Sequence, residues 1–196
     1  MVQTEELPVE RHPWEPWIPQ GAKVLIMGTF PPAPKRWSMD FYYPNRTNDF
    51  WKVCGLIFFG NPEALYIKEE KRFNLSAIKE LLNDRGIALS DTAREVRRLK
   101  GNASDKFLEI LKPVPLFEML AQMPECHTVA TTGEKAAGVV AELTGTPVPK
   151  MGEMVVTTSS PTLNIWRMPS TSRAFPMRLE QKAEYYQRLF HAVGII

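Results

Sequence analysis

Residues 23–51 read KVLIMGTFPPAPKRWSMDFYYPNRTNDFW, and this stretch decides the fold. Val24 to Met27 is an unbroken apolar run that stops at Gly28. Such a run predicts a short strand buried on both faces, as in parallel sheets. Pro31, Pro32 and Pro34 then forbid a helix and hold the chain in a loop. A loop that follows such a strand leaves the carboxyl edge of the sheet, where open α/β sheets bind their ligands. This loop carries Lys35 and Arg36, the aromatics Phe41, Tyr42 and Tyr43, and the polar cluster Asn45-Arg46-Thr47-Asn48. Cations suit phosphates, flat rings suit base stacking and carboxamides suit base edges, which together are what a nucleotide pocket needs.

The rest of the chain alternates in kind. A helix is expected over 47–59, capped by Thr47 or Asn48, with Phe50, Trp51, Cys54, Ile57 and Phe58 on one face. Asn48 reads equally as a plain cap and as a ligand-facing carboxamide. Helices are also expected over 75–84, where Gly86 ends the element, and over 105–111, 116–122, 133–143 and 177–193. Thr128 to Thr132, residues 154–158 and residues 163–168 read as strands. The alternation predicts an α/β domain with a mainly parallel sheet. Residues 1–22 are rich in Pro and Trp and read as an extended arm, with Trp14 and Trp17 capping the core or, alternatively, touching DNA. Residues 94–106 form the most basic run, either a solvated face or a phosphate contact.

A second loop, 169–176, follows the last strand and can face the first across the sheet edge. Ser170, Thr171 and Ser172 suit a phosphate, and Arg173 and Phe175 suit a wedge into a duplex; an ordinary turn with capping serines fits as well.

Composition narrows the class. At 196 residues the chain is long enough for one domain with a real core. A net charge of +2 gives no global basic signature, so any nucleic-acid contact must come from a local patch. Cys54 and Cys126 are too few for a disulfide framework or a four-thiolate cluster. His12, His127 and His191 are too dispersed for a zinc site, so no metal is expected. His127 and Cys54 read as structural. There is no secretory leader and no apolar run long enough to span a membrane, so a cytoplasmic protein is expected. GxxxxGK[ST], GxGxxG and GxSxG are all absent, which removes the main support for nucleoside triphosphates, dinucleotides and hydrolase elbows.

Five segments, IMGTFPP, YYPNRTNDFW, GIALSD, TTGEKAA and MPSTSRA, occur in an order that resembles the uracil-DNA glycosylase superfamily. The resemblance covers roughly residues 12–192 and is closest to the hypoxanthine-DNA glycosylase branch, with the mismatch-specific uracil/thymine branch second. It implies an α/β/α sandwich around a four-stranded parallel sheet, and cofactor-free hydrolysis of the N-glycosidic bond of a flipped-out deaminated base in DNA. By position, it implies that Asn48, helped by Asn45, acts in catalysis. Gly28, Thr29, Phe30, Pro31 and Tyr43 would hold the base. Lys35, Arg36, Ser170, Thr171, Ser172 and Arg173 would hold DNA. Phe30 stands where many relatives carry an acid or amide, and Met168 where one branch carries a histidine. A non-catalytic DNA- or nucleotide-binding protein is therefore the rival expectation. A monomer is expected. Asp49 is expected to turn away from Asn48, and Asp91 and Asp105 are acids that the sequence does not place.

Overall fold

The computed structural model describes residues 7–100 and 104–196. The first six residues of the expected arm, and residues 101–103 of the basic run, lie outside the described residues. In chain order the elements are β1 (Val9–Arg11), β2 (Val24–Gly28), α1 (Phe50–Phe59), β3 (Tyr66–Ile67), β4 (Arg72–Phe73), α2 (Leu75–Arg85), β5 (Ile87–Asp91), β6 (Ala93–Arg98), β7 (Leu108–Pro113), α3 (Leu116–Leu120), β8 (Thr128–Thr132), α4 (Glu134–Thr144), β9 (Met154–Val156), β10 (Asn164–Met168) and α5 (Leu179–Ala192).

The central sheet has the order β5-β2-β8-β10-β9. The first four strands run parallel, as expected, and β9 adds an antiparallel edge through its hairpin with β10. Strand β2 is buried along its whole length and feeds both faces. Val24 and Ile26 join the core under α1, α2 and α5; Leu25 and Met27 join the core under α3 and α4. Alternate side chains on opposite faces follow from the strand's period of two, and each fully buried aliphatic contributes about 1.5–3 kcal/mol. The result is three layers, helices on both faces of one sheet. Trp14 and Trp17 of the arm pack against the first of these cores.

Register puts the chemistry at one edge. Gly28 pairs with Asp91, and Met168 pairs with Thr132, so β2, β5, β8 and β10 all end at the same level. The loops after β2 and β10 therefore leave from the same edge.

A second sheet, β1-β6-β7, is antiparallel and was not expected. The supposed helix over 105–111 is instead a single tight turn at Asp105–Phe107 followed by β7. Leu108 and Ile110 point inward with a period of two and pack with Ala93, Val96 and Phe30. The basic run is largely the outer face of β6. Arg97 pairs with Glu109 and Arg98 with Glu10, so these cations serve the sheet itself.

Candidate functional site

At the carboxyl edge of the central sheet lies a cleft of about 630 Å³, lined by both loops. The first loop contributes Gly28, Thr29, Phe30, Pro31, Arg36, Tyr43, Asn45 and Asn48; the second contributes Ser170 to Phe175. All the candidate catalytic, base-binding and DNA-binding residues line it except Lys35, which sits exposed on the turn Pro34–Arg36 outside the lining. Asp91, Asp105, Lys106 and Thr132 line it too.

Tyr43 is held rigidly. Its ring stacks on Phe50 with centroids 4.0 Å apart and planes 21° apart. Its hydroxyl lies 3.2 Å from Thr132 Oγ1. Burial first, and then the Asp91 charge, push the phenol well above its ordinary pKa, so it stays neutral. Tyr43 also has φ +52°, a left-handed conformation uncommon for a non-glycine residue. Strain of this kind costs about 1–3 kcal/mol and concentrates at functional sites. One ring face is covered by Phe50, and the residue still lines the cleft.

Both carboxamides are oriented by the backbone. Asn48 Oδ1 accepts the Phe50 N–H at 2.9 Å. Asn45 Oδ1 accepts the Thr47 N–H and hydroxyl, each at 3.0 Å. Because a backbone N–H must meet oxygen, these contacts fix which way each amide points. Neither side-chain NH₂ has a hydrogen-bond acceptor among the described residues, and both residues line the cleft. Asn48 thus ties down the start of α1 while lining the cleft. The cap position proper belongs to Asp49.

Asp49 does turn away, and the structure gives the reason. Its Oδ2 accepts from Lys182 Nζ at 2.8 Å, and the Lys182 side chain is fully buried. The same ammonium donates to Ser172 O at 2.9 Å, while Asp49 N–H donates to Thr171 O at 2.8 Å. These three bonds lock the start of α1 to the second loop and so fix the width of the cleft. Sequence reasoning missed Lys182. The signal was there, a lysine on the inner stripe of α5 beside Leu179, Ala183 and Tyr186, where an unpaired charge is forbidden.

The second loop is partly self-satisfied. Ser170 Oγ accepts from Ser172 N and Ser172 Oγ from Ala174 N, so these hydroxyls first stabilise the turn. Thr171 is buried. Arg173 is exposed at the rim, as are Arg36 and Lys106. The cleft is therefore cationic at its mouth and acidic at its floor. Asp105 accepts from Thr29 Oγ1 at 2.9 Å, and burial, reinforced by the nearby Asp91, raises its carboxyl above the ordinary range.

Phe30 lines the cleft, but its ring is gripped by His12 at 5.4 Å edge-on and lies under the Arg98 guanidinium at 5.6 Å. Met168 is a core residue. His127 is exposed at the start of β8, the opposite end of the strand from the cleft, and Cys54 is buried in the core. Among the described residues no group of three or more His, Cys, Asp or Glu side chains could hold a metal ion, and no helix is long and apolar enough to cross a membrane.

No protein-family model matches the chain, and no curated protein matches it. A solved structure does share its fold. A Methanosarcina acetivorans protein, determined by solution NMR and provisionally assigned as a uracil DNA glycosylase, matches with a TM-score of 0.62 at 19% identity. The match covers 95% of this chain and 99% of the other. At that identity the likeness establishes the shared fold and nothing finer.

Proposed function

We propose that this protein is a DNA glycosylase of the uracil-DNA glycosylase superfamily, hydrolysing the N-glycosidic bond of a deaminated base in DNA. The observation that carries the reading is that Tyr43 and Asn48 share one cleft with Ser170 to Arg173. A base inside a duplex is out of reach, so it must be flipped out at a cost of a few kcal/mol, least where it is mispaired. Stacking on Tyr43 returns about 1–3 kcal/mol. The Asn48 NH₂ donates to a carbonyl of the extruded base, and Asn45 offers a second donor. Gly28, Thr29 and Pro31 shape the slot. Arg36 and Arg173 meet phosphates on either side. Lys35, lying off the cleft, serves only as a distant cation. The order of the sequence segments supports the hypoxanthine branch within this family, and the protein acts as a cytoplasmic, cofactor-free monomer with one domain.

The test is direct. Labelled duplexes carrying uracil, hypoxanthine or xanthine are incubated with the protein, and abasic sites are cleaved with alkali. Strand scission with at least one of them is expected. The second reading, a binding protein without chemistry, draws on the packing of Phe30 between His12 and Arg98 and on the burial of Met168. Tight binding with no scission on all three duplexes would establish that reading instead.

A further inference from the structure

We infer that Asp91, held from behind by His12, is a catalytic carboxylate of this cleft and takes the proton of the attacking water. The inference rests on the glycosylase reading and adds the charged group that Phe30 cannot supply.

Asp91 ends β5 in register with Gly28, and it lines the cleft while only 7% exposed. Its Oδ2 accepts from His12 Nε2 at 2.9 Å, and the two side chains are 8% and 2% exposed. A carboxylate only accepts, so the ring must carry its proton on Nε2. Asp91 Oδ1 has no hydrogen-bond partner among the described residues. It sits over Gly28, where a Cβ would come within 2.6 Å of it and within 3.3 Å of the Tyr43 hydroxyl. Glycine at position 28 thus keeps open the approach to this oxygen, which is left free to accept a hydrogen bond in the cleft that Asp91 lines.

His12 is built to support it. Its Nδ1 lies 2.8 Å from Trp14 O and 3.2 Å from Trp14 N. It can donate to the one or accept from the other, so the ring is satisfied with or without a second proton. Tyr42 stacks on one side of the ring and Phe30 meets it edge-on. The other titratable or charged groups around Asp91 are Tyr42 and Tyr43 from the first loop, Asp105 ahead of β7, and Arg94 of β6 beyond Tyr42.

The step balances as follows. The C1′–N bond breaks and its electron pair leaves with the base. Water oxygen bonds to C1′, and the water proton passes to Asp91 Oδ1. The departing base anion takes a proton from solvent, giving free base and an abasic sugar. The same carboxylate faces the positive charge that develops at C1′, in a site where little water screens it.

Single-turnover excision decides the matter, on the damaged duplex that the unaltered protein cleaves best. Asp91→Asn is expected to lower the rate about 10²–10⁴-fold, with an unchanged thermal melt and unchanged affinity for a 2′-fluoro, uncleavable duplex. Formate is expected to restore part of the rate of Asp91→Ala, a response that a purely structural role would not give. His12→Gln, a positioning variant, is expected to cost roughly tenfold and to change the shape of the pH–rate profile. Full-rate excision by Asp91→Asn beside an inactive Asn48→Ala overturns this role and leaves the glycosylase reading intact. So does a folded Asp91→Ala that formate does not rescue. If neither Asp91 variant folds, an unchanged pH profile in His12→Gln overturns it. An unaltered protein inert on every damaged base refutes the glycosylase reading and this role together.

Discussion

The two larger sheets do different work at the cleft. The central sheet is built around the unbroken apolar strand β2, and its edge supplies geometry: the backbone level of Gly28 and Thr132 and the loops that carry Tyr43 and Asn48. The small antiparallel sheet is studded with charge, and its border supplies polarity. Asp91 closes β5, an edge strand of the central sheet, and only Thr92 separates it from the start of β6 at Ala93. His12 follows β1 directly, and Asp105 opens the turn that leads into β7. The acidic floor of the cleft thus lies along the seam between the sheets. A rigid frame can hold rings and amides in place, but ionisable groups need partners from a second layer to survive burial.

Beyond Asp91 itself, changes on the frame side should cut deepest. Asn48→Ala is expected to lower single-turnover excision by about 10²–10³-fold, the usual loss for one preorganised donor. Circular dichroism should find the fold intact. If the variant excises every substrate at full rate, the frame contributes no chemistry and the contrast with the seam collapses.

Lys182→Met tests how the two loops are joined. Removing one partner of a buried pair costs about 3–5 kcal/mol when both charges are enclosed. Asp49 is 16% exposed, so a smaller loss of about 2–3 kcal/mol is expected. Denaturant unfolding should record it, together with weaker binding of damaged DNA as the second loop is released. A variant as stable as the parent would mean the ammonium is not what sets the width of the cleft.

At the rim, Arg173→Ala is expected to weaken binding a few-fold and uniformly, on damaged and undamaged duplexes alike. The slope of log K against log salt should fall by about 1. A loss confined to damaged duplexes would move Arg173 from phosphate contact to the base itself.

The smallest effect belongs to Asp105 at the seam. Asp105 has a raised carboxyl pKa, so the folded protein holds this proton more tightly than the unfolded chain. Stability therefore falls as pH rises from the ordinary carboxylate value through the raised one. Asp105→Asn keeps an acceptor for Thr29 and removes the charge. It should melt slightly higher than the parent at pH 7, with the difference vanishing at acid pH. An equal difference at both pH values would rule out the buried charge as its cause.

The frame was readable in the sequence because its signals are local. Val24 to Met27 and Thr128 to Thr132 are compact runs ending at glycine, and Tyr43 and Asn48 lie within one loop. The small sheet was not readable for a specific reason. A bulge shifts the register between Ala93 and Val96. Those two inward residues are consequently three apart, a spacing that does not announce a strand. In β7 the alternation of Leu108 and Ile110 was present but was overridden by Ser104-Asp105, which imitates a helix start. The partners of the acids lay beyond any local pattern: His12 and Asp91 are 79 residues apart, and Asp49 and Lys182 are 133 apart.

The central claim is that one flipped base enters the cleft between the two loops. Amide chemical-shift mapping of the ¹⁵N-labelled protein tests it most directly, with duplexes carrying 2′-fluoro-deoxyuridine or 2′-fluoro-deoxyinosine, which bind without being cleaved. At least one duplex should move the amides of Gly28, Tyr43, Asn48 and Ser170 to Arg173 together, and an undamaged duplex should move only those at the rim. Saturable binding that leaves Gly28, Tyr43 and Asn48 unmoved while other surfaces respond would contradict it.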